Sequence, residues 1–370
     1  MAKETAIILD INAHISRNKS LKLLAQALRK DRLAHAILLS GVPGSGKEAV
    51  ALEMAKILNC TEEEYTACGK CSACRRIASF EHPNFQFIYP LPGGSKDKDN
   101  PAASLKDEIL EIIQSELSKK ASNPYYRIEI PGANFVRIDS IRYLKNNSYL
   151  KSAEQGKRVI LVSRAEKMND EAANAFLKLL EEPPDDTYIF LTSSKPDLMV
   201  STIRSRCQEV KLKRLAKSEV EEILVSDTLS REEAAAYAKS VNWDIGSALR
   251  LIDEGEFENR MSLANEIVTV ITSGKALDIS GMNRKMAIVA KEGKEKIAAV
   301  FHLALSCLLE KKINDIQRIT ELKVAECFDK AIDLVGRNIY IPMIFSSLVF
   351  ETRNILKGKK IGGEGYKVVG

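Results

Sequence analysis

Short apolar runs alternate with helical patterns over residues 1–210 of the chain. Stretches rich in Ile, Leu, Val and Phe have the length of buried strands, and the segments between them repeat apolar residues at helical spacing. The predicted strands are 36–40, 85–89, 135–138, 158–163 and 187–192. The predicted helices are 15–33, 47–58, 105–119, one from Asp139, and one from Asp170 that ends before Pro183-Pro184. This alternation predicts an α/β domain with a parallel sheet covered by helices on both faces.

The strand signal disappears from Leu212 onward. Short helical patterns follow, and longer ones fill 257–358. We therefore expect three domains: an α/β domain at 1–210, a small helical domain at 211–256 and an all-helical domain at 257–358. The Gly- and Lys-rich end, 359–370, predicts a mobile tail.

Residues 91–130 interrupt the α/β pattern. Their first part, 91–104, is rich in Pro, Gly, Ser, Lys and Asp and is the most loop-like run in the chain. A single helical pattern follows it. The composition predicts a surface insertion with one helix and favours an excursion without chemistry, and it leaves the role of the insertion open.

The totals describe a globular protein rather than a membrane or disordered one. The chain has 370 residues, 45% hydrophobic and 28% charged, and no apolar run of the roughly 18 residues that span a bilayer. It begins without a signal-peptide pattern, so we expect a cytoplasmic location and no membrane partner. The net charge of +5 permits contact with nucleic acid and does not by itself predict it.

A glycine-rich turn joins the strand at 36–40 to the next helix, in the sequence Gly-Val-Pro-Gly-Ser-Gly-Lys. This pattern is typical of a loop whose backbone N–H groups and lysine hold nucleotide phosphates, here Gly41, Gly44, Gly46 and Lys47. The pattern requires Ser or Thr next, because that hydroxyl binds Mg²⁺, but this chain has Glu48. A carboxylate there repels phosphate, so a loop that no longer holds nucleotide is as good an interpretation as a working one.

The strand at 158–163 lacks the acids that such a site needs. In nucleotide hydrolases an Asp at the end of this strand binds Mg²⁺, and a neighbouring acid activates water. Ser163 and Arg164 stand there instead, and Glu166 and Asp170 lie too far along the chain to replace them without a shift of register. A strand that only supports the sheet is the favoured interpretation.

Four cysteines, Cys60, Cys68, Cys71 and Cys74, follow the helix after the glycine loop. Thiolates two residues apart can converge on one tetrahedral Zn²⁺, and four of them fill its coordination shell. Without a secretion signal, a metal is favoured over disulfides. The spacing predicts a structural zinc site.

Two further features are ambiguous when they are considered alone. Arg206, in Ser205-Arg206-Cys207, follows the predicted strand at 187–192. A lone arginine in a loop is usually only solvated. Lys211, Lys213, Arg214 and Lys217 come next, and such a run is more typical of a solvated face than of a DNA track.

Together these motifs resemble those of bacterial clamp-loader subunits of the AAA+ class. The resemblance rests on the glycine loop, the cysteine module at 60–74, Asn174-Ala-Phe-Leu-Lys-Leu-Leu-Glu-Glu-Pro-Pro184 and Ser205-Arg-Cys207. It covers about 35–252 strongly and 257–358 more weakly. It implies an AAA+ fold with a helical lid and a helical collar. It also implies a place in the DNA polymerase III holoenzyme, in a hetero-pentamer with motor (gamma/tau) and delta subunits that loads a sliding clamp on primed DNA.

The resemblance also distinguishes two kinds of subunit. A motor subunit carries Ser or Thr after the loop lysine, Asp-Glu after the strand that corresponds to 158–163 here, and an arginine in a Gly-Ser-Leu-Arg helix. The matching positions here are Glu48, Ser163-Arg164 and Gly246, with Arg250 one turn further on. Arg206, which in this family reaches a neighbour's ATP site, is retained. This combination implies the delta-prime type, which does not hydrolyse ATP, so that ATP and Mg²⁺ act only in the neighbouring subunit.

Two other functions remain open from the sequence. One is an ATP-hydrolysing gamma/tau-type motor with an altered metal site, which predicts nucleotide binding and turnover by the isolated chain. The other is a zinc-bearing DNA-binding module on an inactive loop fold, which predicts strongly salt-dependent DNA binding. The modest charge and the 6% aromatic content disfavour the second.

Overall fold

The structure is a computed structural model that describes residues 19–93, 101, 104–148, 154–226, 229–255, 257–273, 277–312, 318–337 and 339–357. The described part of the chain divides between two compact units. The first holds the described residues up to Ile223 together with Asp244–Leu249, and the second holds Leu224–Trp243 together with the described residues from Arg250 onward. The tail predicted at 359–370 lies outside the described residues.

Five parallel strands form one sheet in the first unit, in the order β2-β3-β4-β1-β5. The strands are β1 Ala36–Ser40, β2 Phe85–Ile88, β3 Arg158–Val162, β4 Thr187–Ser193 and β5 Gln208–Lys211. Four of them lie where the apolar runs predicted strands. This confirms the expected parallel sheet.

The predicted strand at 135–138 is wrong. Phe135 and Val136 make only single bridges, to Leu91 and Met168, and a helix begins at Ile138. The sequence also did not indicate β5. This edge strand exposes Gln208, Glu209 and Lys211 and buries only Val210, so it lacks the apolar run that marks a central strand.

The helices surround the sheet in the first unit and make up the second unit. They are α1 Lys19–Arg29, α2 Lys47–Asn59, α3 Ser72–Ala78, α4 Asp107–Ser122, α5 Ile138–Ser148, α6 Asp170–Glu181, α7 Ser201–Arg204, α8 Lys217–Leu224, α9 Arg231–Ser240, α10 Ile245–Glu254, α11 Phe257–Ser273, α12 Leu277–Glu292, α13 Lys294–Lys312, α14 Arg318–Gly336 and α15 Ile341–Leu356. Two short 3₁₀ turns lie at Ala165–Lys167 and Pro196–Leu198. Asn169 caps α6 by accepting a hydrogen bond from the amide of Ala172.

Strand side chains alternate between two apolar cores. Leu38 and Ile160 point to one face and pack with Phe176 of α6. Leu39 points to the other face and packs with Met54 of α2. All five side chains are almost fully buried, which is why the central strands read as continuous apolar runs.

The second unit has a separate helical core. Phe301, Phe328 and Phe345 come from α13, α14 and α15, and none of them is exposed to solvent. No helix among the described residues is both long and apolar enough to span a bilayer.

The carboxyl ends of β1, β3 and β4 meet at one edge of the sheet because the strands are parallel. The glycine loop follows β1, Ser163 and Arg164 follow β3, and Ser194 follows β4. Crevices at this edge are the usual ligand sites of open α/β sheets. This edge is therefore the first place to examine for a functional site.

Candidate functional site

The glycine loop connects β1 to α2, as predicted. Gly46 is the residue before α2 and has a left-handed backbone, with φ of 73°. Gly44 has φ of 77°, and a Cβ atom there would lie 2.8 Å from the Cα of Asp244. Both positions therefore favour glycine, for the backbone conformation and for the close approach of other chain segments.

Lys47 bonds to its own loop. Its Nζ donates to the carbonyl oxygens of Gly41 and Val42, each at 2.9 Å, and lies 3.4 Å from the Ser45 hydroxyl. Burial lowers the pKa of Lys47 to about 8, although Glu48, Glu166 and Asp244 act in the opposite direction. The lysine that would hold phosphates is thus already supplied with acceptors.

Glu48 forms an ion pair with a residue of the insertion. Lys120 Nζ lies 2.5 Å from Glu48 Oε2, and the Ser163 hydroxyl donates to Glu48 Oε1. Burial raises the pKa of Glu48, but the charge and hydrogen bonds of Lys120 and Ser163 outweigh it, and the pKa falls to about 2. The carboxylate is ionised at neutral pH, so position 48, where the loop pattern requires a Mg²⁺-binding hydroxyl, carries an anion paired with the ammonium group of Lys120.

Hydrogen bonds tie the end of β3 to other segments of the first unit. Arg164 Nη2 donates to the Ile128 carbonyl at 2.9 Å, and its amide donates to Thr192 Oγ1 at 3.2 Å. Glu166, in the following 3₁₀ turn, accepts from the amide of Ser194 at 3.3 Å. Position 164, where a motor subunit has an acid, therefore carries a cation that anchors the insertion.

An arginine of the insertion lies beside the position expected for a sensor arginine. Arg127 Nη1 is 3.2 Å from Asp244 Oδ2, and its Nη2 donates to Ser247 Oγ at 2.9 Å. A Cβ atom on Gly246 would lie 3.1 Å from the Cβ of Arg127. Arg250, the displaced alternative, pairs with Glu254 at 3.8 Å.

Arg206 lies in the turn between α7 and β5. Its Nη2 is 2.6 Å from Glu181 Oε1, and its Nη1 donates to the Thr202 carbonyl at 3.0 Å. Its side chain is 38% exposed. The partners that the described residues provide belong to the segments around α6 and α7, not to the glycine loop.

The four cysteines converge as predicted. Their sulfur atoms all lie within 4.8 Å of one another, and Cys68 Sγ is 4.0 Å from Cys74 Sγ. Four sulfurs around one Zn²⁺ at about 2.3 Å would lie about 3.8 Å apart, so the geometry fits one tetrahedral ion.

Backbone amides orient the thiols. The amide of Cys71 donates to Cys68 Sγ at 3.2 Å, and that of Cys74 donates to Cys71 Sγ at 3.4 Å. Burial raises the pKa of Cys71, but hydrogen bonds from Thr61 and Cys74 outweigh it and lower the pKa to about 6. Burial raises the pKa of Cys74, so without a metal ion the thiolate form is favoured at Cys71 and disfavoured at Cys74. With its four sulfurs this close together, the cluster can hold a metal ion such as Zn²⁺.

Sequence reasoning missed the insertion's part in the loop site. Lys120, Tyr125 and Arg127 all approach the loop or its neighbours, although the insertion was expected to be a surface excursion. No motif or spacing marks these residues, since they lie about 80 residues beyond the loop. The two adjacent tyrosines, Tyr125 and Tyr126, stand out in a polar segment, but they do not indicate Lys120 or its contact with the loop.

Comparisons with known proteins agree with this architecture. Residues 16–216 match the family described as DNA polymerase III, delta subunit, which is more than half of the chain. DNA polymerase III subunit delta' of Bacillus subtilis is 28% identical over 255 residues, covering 69% of this chain and 65% of that protein. The corresponding protein of Pseudomonas aeruginosa is 33% identical over 175 residues, covering 47% of this chain and 42% of that protein.

A second kind of relative is also similar. DNA polymerase III subunit tau of Escherichia coli is 26% identical over 293 residues, covering 77% of this chain and 39% of that protein. The chain thus spans less than two thirds of the length of each of these relatives. These matches confirm the resemblance drawn from the motifs: the chain belongs to the DNA polymerase III delta-subunit family, as a subunit of the delta-prime and gamma/tau type.

Proposed function

We propose that this chain is a non-hydrolysing, delta-prime-type subunit of a clamp loader. The observation that carries the proposal is the ion pair between Glu48 and Lys120 at the position where a motor subunit binds Mg²⁺. Ser163-Arg164 and Gly246 support it, because the other two ATP-handling positions of a motor are also replaced. The membership of the delta-subunit family provides the context.

In this proposal Arg206 acts on a neighbouring subunit. A guanidinium group stays charged, and its planar fork matches the oxygens of a phosphate. Arg206 is partly exposed, and its partner Glu181 is 48% exposed. Surface ion pairs contribute only about 0–1 kcal/mol, so the guanidinium can exchange Glu181 for a γ-phosphate in a neighbour's site at little cost.

The remaining parts have supporting roles in the proposed assembly. A Zn²⁺ held by Cys60, Cys68, Cys71 and Cys74 is structural, because four thiolates leave no open coordination position. Residues 211–256 form the lid, and 257–358 form the collar that joins the motor (gamma/tau) and delta subunits in a hetero-pentamer. The assembly places a sliding clamp on primed DNA in the cytoplasm, with ATP and Mg²⁺ in the neighbouring motor subunit.

The experiment is the ATPase rate of a clamp loader reconstituted with Arg206→Ala in this chain. In other nucleotide hydrolases an arginine finger contributes about 10³–10⁵ in rate. We therefore expect loss of turnover in the site that this chain completes, and a weak recovery with Arg206→Lys, which keeps the charge and loses the fork. Arg204→Ala is the matched control, since its side chain is 39% exposed and also forms ion pairs, with Asp197 and Glu209.

Two results would overturn the proposal. One is clamp-loader ATPase that is the same with Arg206→Ala and Arg204→Ala. The other is Mg²⁺-dependent ATP turnover by the isolated chain, which would favour the gamma/tau-type motor with an altered metal site.

A further inference from the structure

A segment of the insertion, Lys120–Arg127, lies against the glycine loop. It begins at the end of α4 and includes Tyr125 and Tyr126, which are 7% and 3% exposed. Both tyrosines are therefore buried, although the segment belongs to the insertion. We call residues 120–127 the plug segment.

Lys120 is the charged centre of the plug segment. It is 1% exposed, and its Nζ bonds to Glu48 Oε2 at 2.5 Å, the Tyr126 carbonyl at 2.7 Å and the Pro124 carbonyl at 3.3 Å. An ammonium group has three donors, so all three are used. A buried charge with a complete set of partners is a fixed part of the structure rather than a mobile surface lysine.

Two other side chains of the plug segment lie near glycines of the loop, Tyr125 directly and Arg127 through its partner Asp244. The ring of Tyr125 lies so close to Gly46 that a Cβ atom there would be 3.1 Å from Tyr125 Cε1. Arg127 holds Asp244, whose Cα would be 2.8 Å from a Cβ atom on Gly44. Tyr125 and Asp244 therefore pack closely against two glycines of the loop, and a small cavity lined by Ser45, Gly46 and Tyr125 lies beside them.

The plug segment is anchored at each end. Glu116 of α4 accepts from the Tyr126 hydroxyl at 3.0 Å and from the Glu129 amide at 2.8 Å. Beyond the segment, Ile128 packs with Ile113 of α4, and its carbonyl accepts from Arg164. These bonds tie the plug segment both to its own helix and to the end of β3.

We propose that the plug segment is the resident occupant of the glycine loop and that it excludes Mg²⁺-nucleotide. Lys120 supplies the positive charge that a metal ion would bring, and the carboxylate of Glu48 takes the place of a phosphate as its counter-ion. An entering nucleotide would add negative charge beside Glu48 and would have to separate an ion pair that is mostly withdrawn from solvent. The loop thus keeps its closed shape without nucleotide, whatever the role of Arg206.

The first test measures the seating of Lys120 in the unmodified full chain. The protein is treated briefly with an amine-acylating reagent, and the modification of each lysine is followed by mass spectrometry. Lys119 is the matched neighbour, since its side chain is 34% exposed. We expect Lys120 to react at least about tenfold more slowly than Lys119, because modification requires local opening, and we expect Mg²⁺-ATP to leave this protection unchanged. Equal rates, or loss of protection with Mg²⁺-ATP, would overturn the proposal.

The second test removes the charges of the plug. Glu48→Thr with Lys120→Met restores a hydroxyl at position 48 and takes away its internal cation. We expect this double variant to bind a fluorescent ATP analogue with Mg²⁺ at least about tenfold more tightly than the unmodified chain, and a further Lys47→Ala to abolish the gain. Lys119→Met is the control that should gain nothing.

A double variant that keeps a cooperative thermal transition and binds no better than the unmodified chain would contradict the proposal. So would an unmodified chain that already binds the analogue as tightly as the variant. If the double variant does not fold, the acylation rates decide the question, since they need no substitution.

Discussion

The cysteine cluster and the glycine loop are the two strongest motifs in this sequence, and they have opposite outcomes. The cluster draws its four cysteines from 15 residues, and the structure brings their sulfurs within 4.8 Å of one another, so that they could hold one metal ion. The loop keeps the glycines and lysine of a phosphate site, yet Lys47 bonds to its own loop and Glu48 to Lys120. A motif whose partners are all local can be interpreted from sequence, whereas a motif that needs an empty pocket depends on distant residues.

The same contrast separates the loop from Arg206. The loop is covered by Tyr125 and by the pair of Arg127 with Asp244, all within one unit. Arg206 instead lies at the surface, in a weak pair with Glu181. Under these two proposals, the plug segment closes the chain's own glycine loop, whereas Arg206 stays available to a neighbouring subunit.

The largest expected effect concerns the cysteine cluster. Cys71→Ser should reduce the bound zinc from one ion per chain to none, measured by elemental analysis. Structural zinc contributes about 10–16 kcal/mol in small zinc domains at pH 7, so the segment from Cys60 to Ala78 should lose its structure and become sensitive to protease. The matched control is Cys207→Ser, outside the cluster. Purified chain without metal and with an equally resistant segment would contradict the structural role.

The next effect breaks the glycine loop's internal pair. Lys120→Met leaves a largely buried carboxylate without its partner, and losing one member of such a pair costs about 3–5 kcal/mol. Urea unfolding should show a loss near the lower value, because Glu48 keeps 19% exposure. Glu48→Gln with Lys120→Met should recover most of it, and Lys119→Met should cost under about 1 kcal/mol. Equal losses for Lys120→Met and Lys119→Met would show that the pair is not formed.

The pH dependence of stability tests the same pair without removing Lys120. The pKa of Glu48 falls from its ordinary 4.5 to about 2 in the folded chain. A lowered carboxyl pKa stabilises the fold fully above about pH 4.5, and this stabilisation is lost as the pH falls toward about 2. The free energy of unfolding of the unmodified chain should therefore drop about 3 kcal/mol more over this range than that of Glu48→Gln. Parallel pH profiles would contradict an ionised, paired Glu48.

The smallest effect is expected at Arg206. Glu181→Ala removes its partner, but an exposed pair is worth about 0–1 kcal/mol, so urea unfolding should change by less than about 1 kcal/mol. Glu182→Ala is the neighbouring control. A loss of several kcal/mol specific to Glu181→Ala would mean that Arg206 is a structural residue and not an available finger.

The sequence predicted the central sheet, helix α6 and the cysteine cluster because each rests on neighbouring residues. Apolar runs marked β1 to β4. The sequence did not predict β5, because this edge strand buries only Val210 and so has no apolar run. Phe135 and Val136 looked like a strand, yet each makes only one bridge. Glu48 revealed that the loop was altered, but no local signal indicated Lys120, because its partner lies 72 residues away in the chain and its own surroundings are polar.

The most direct test of the account is a calorimetric titration of Mg²⁺-ATP into the isolated, full-length, unmodified chain, with a parallel measurement of its melting temperature. A loop that is covered by the plug segment predicts no saturable heat and no rise in melting temperature, since only a ligand that binds the folded state stabilises it. Saturable one-to-one binding that raises the melting temperature and disappears with Lys47→Ala would contradict the account.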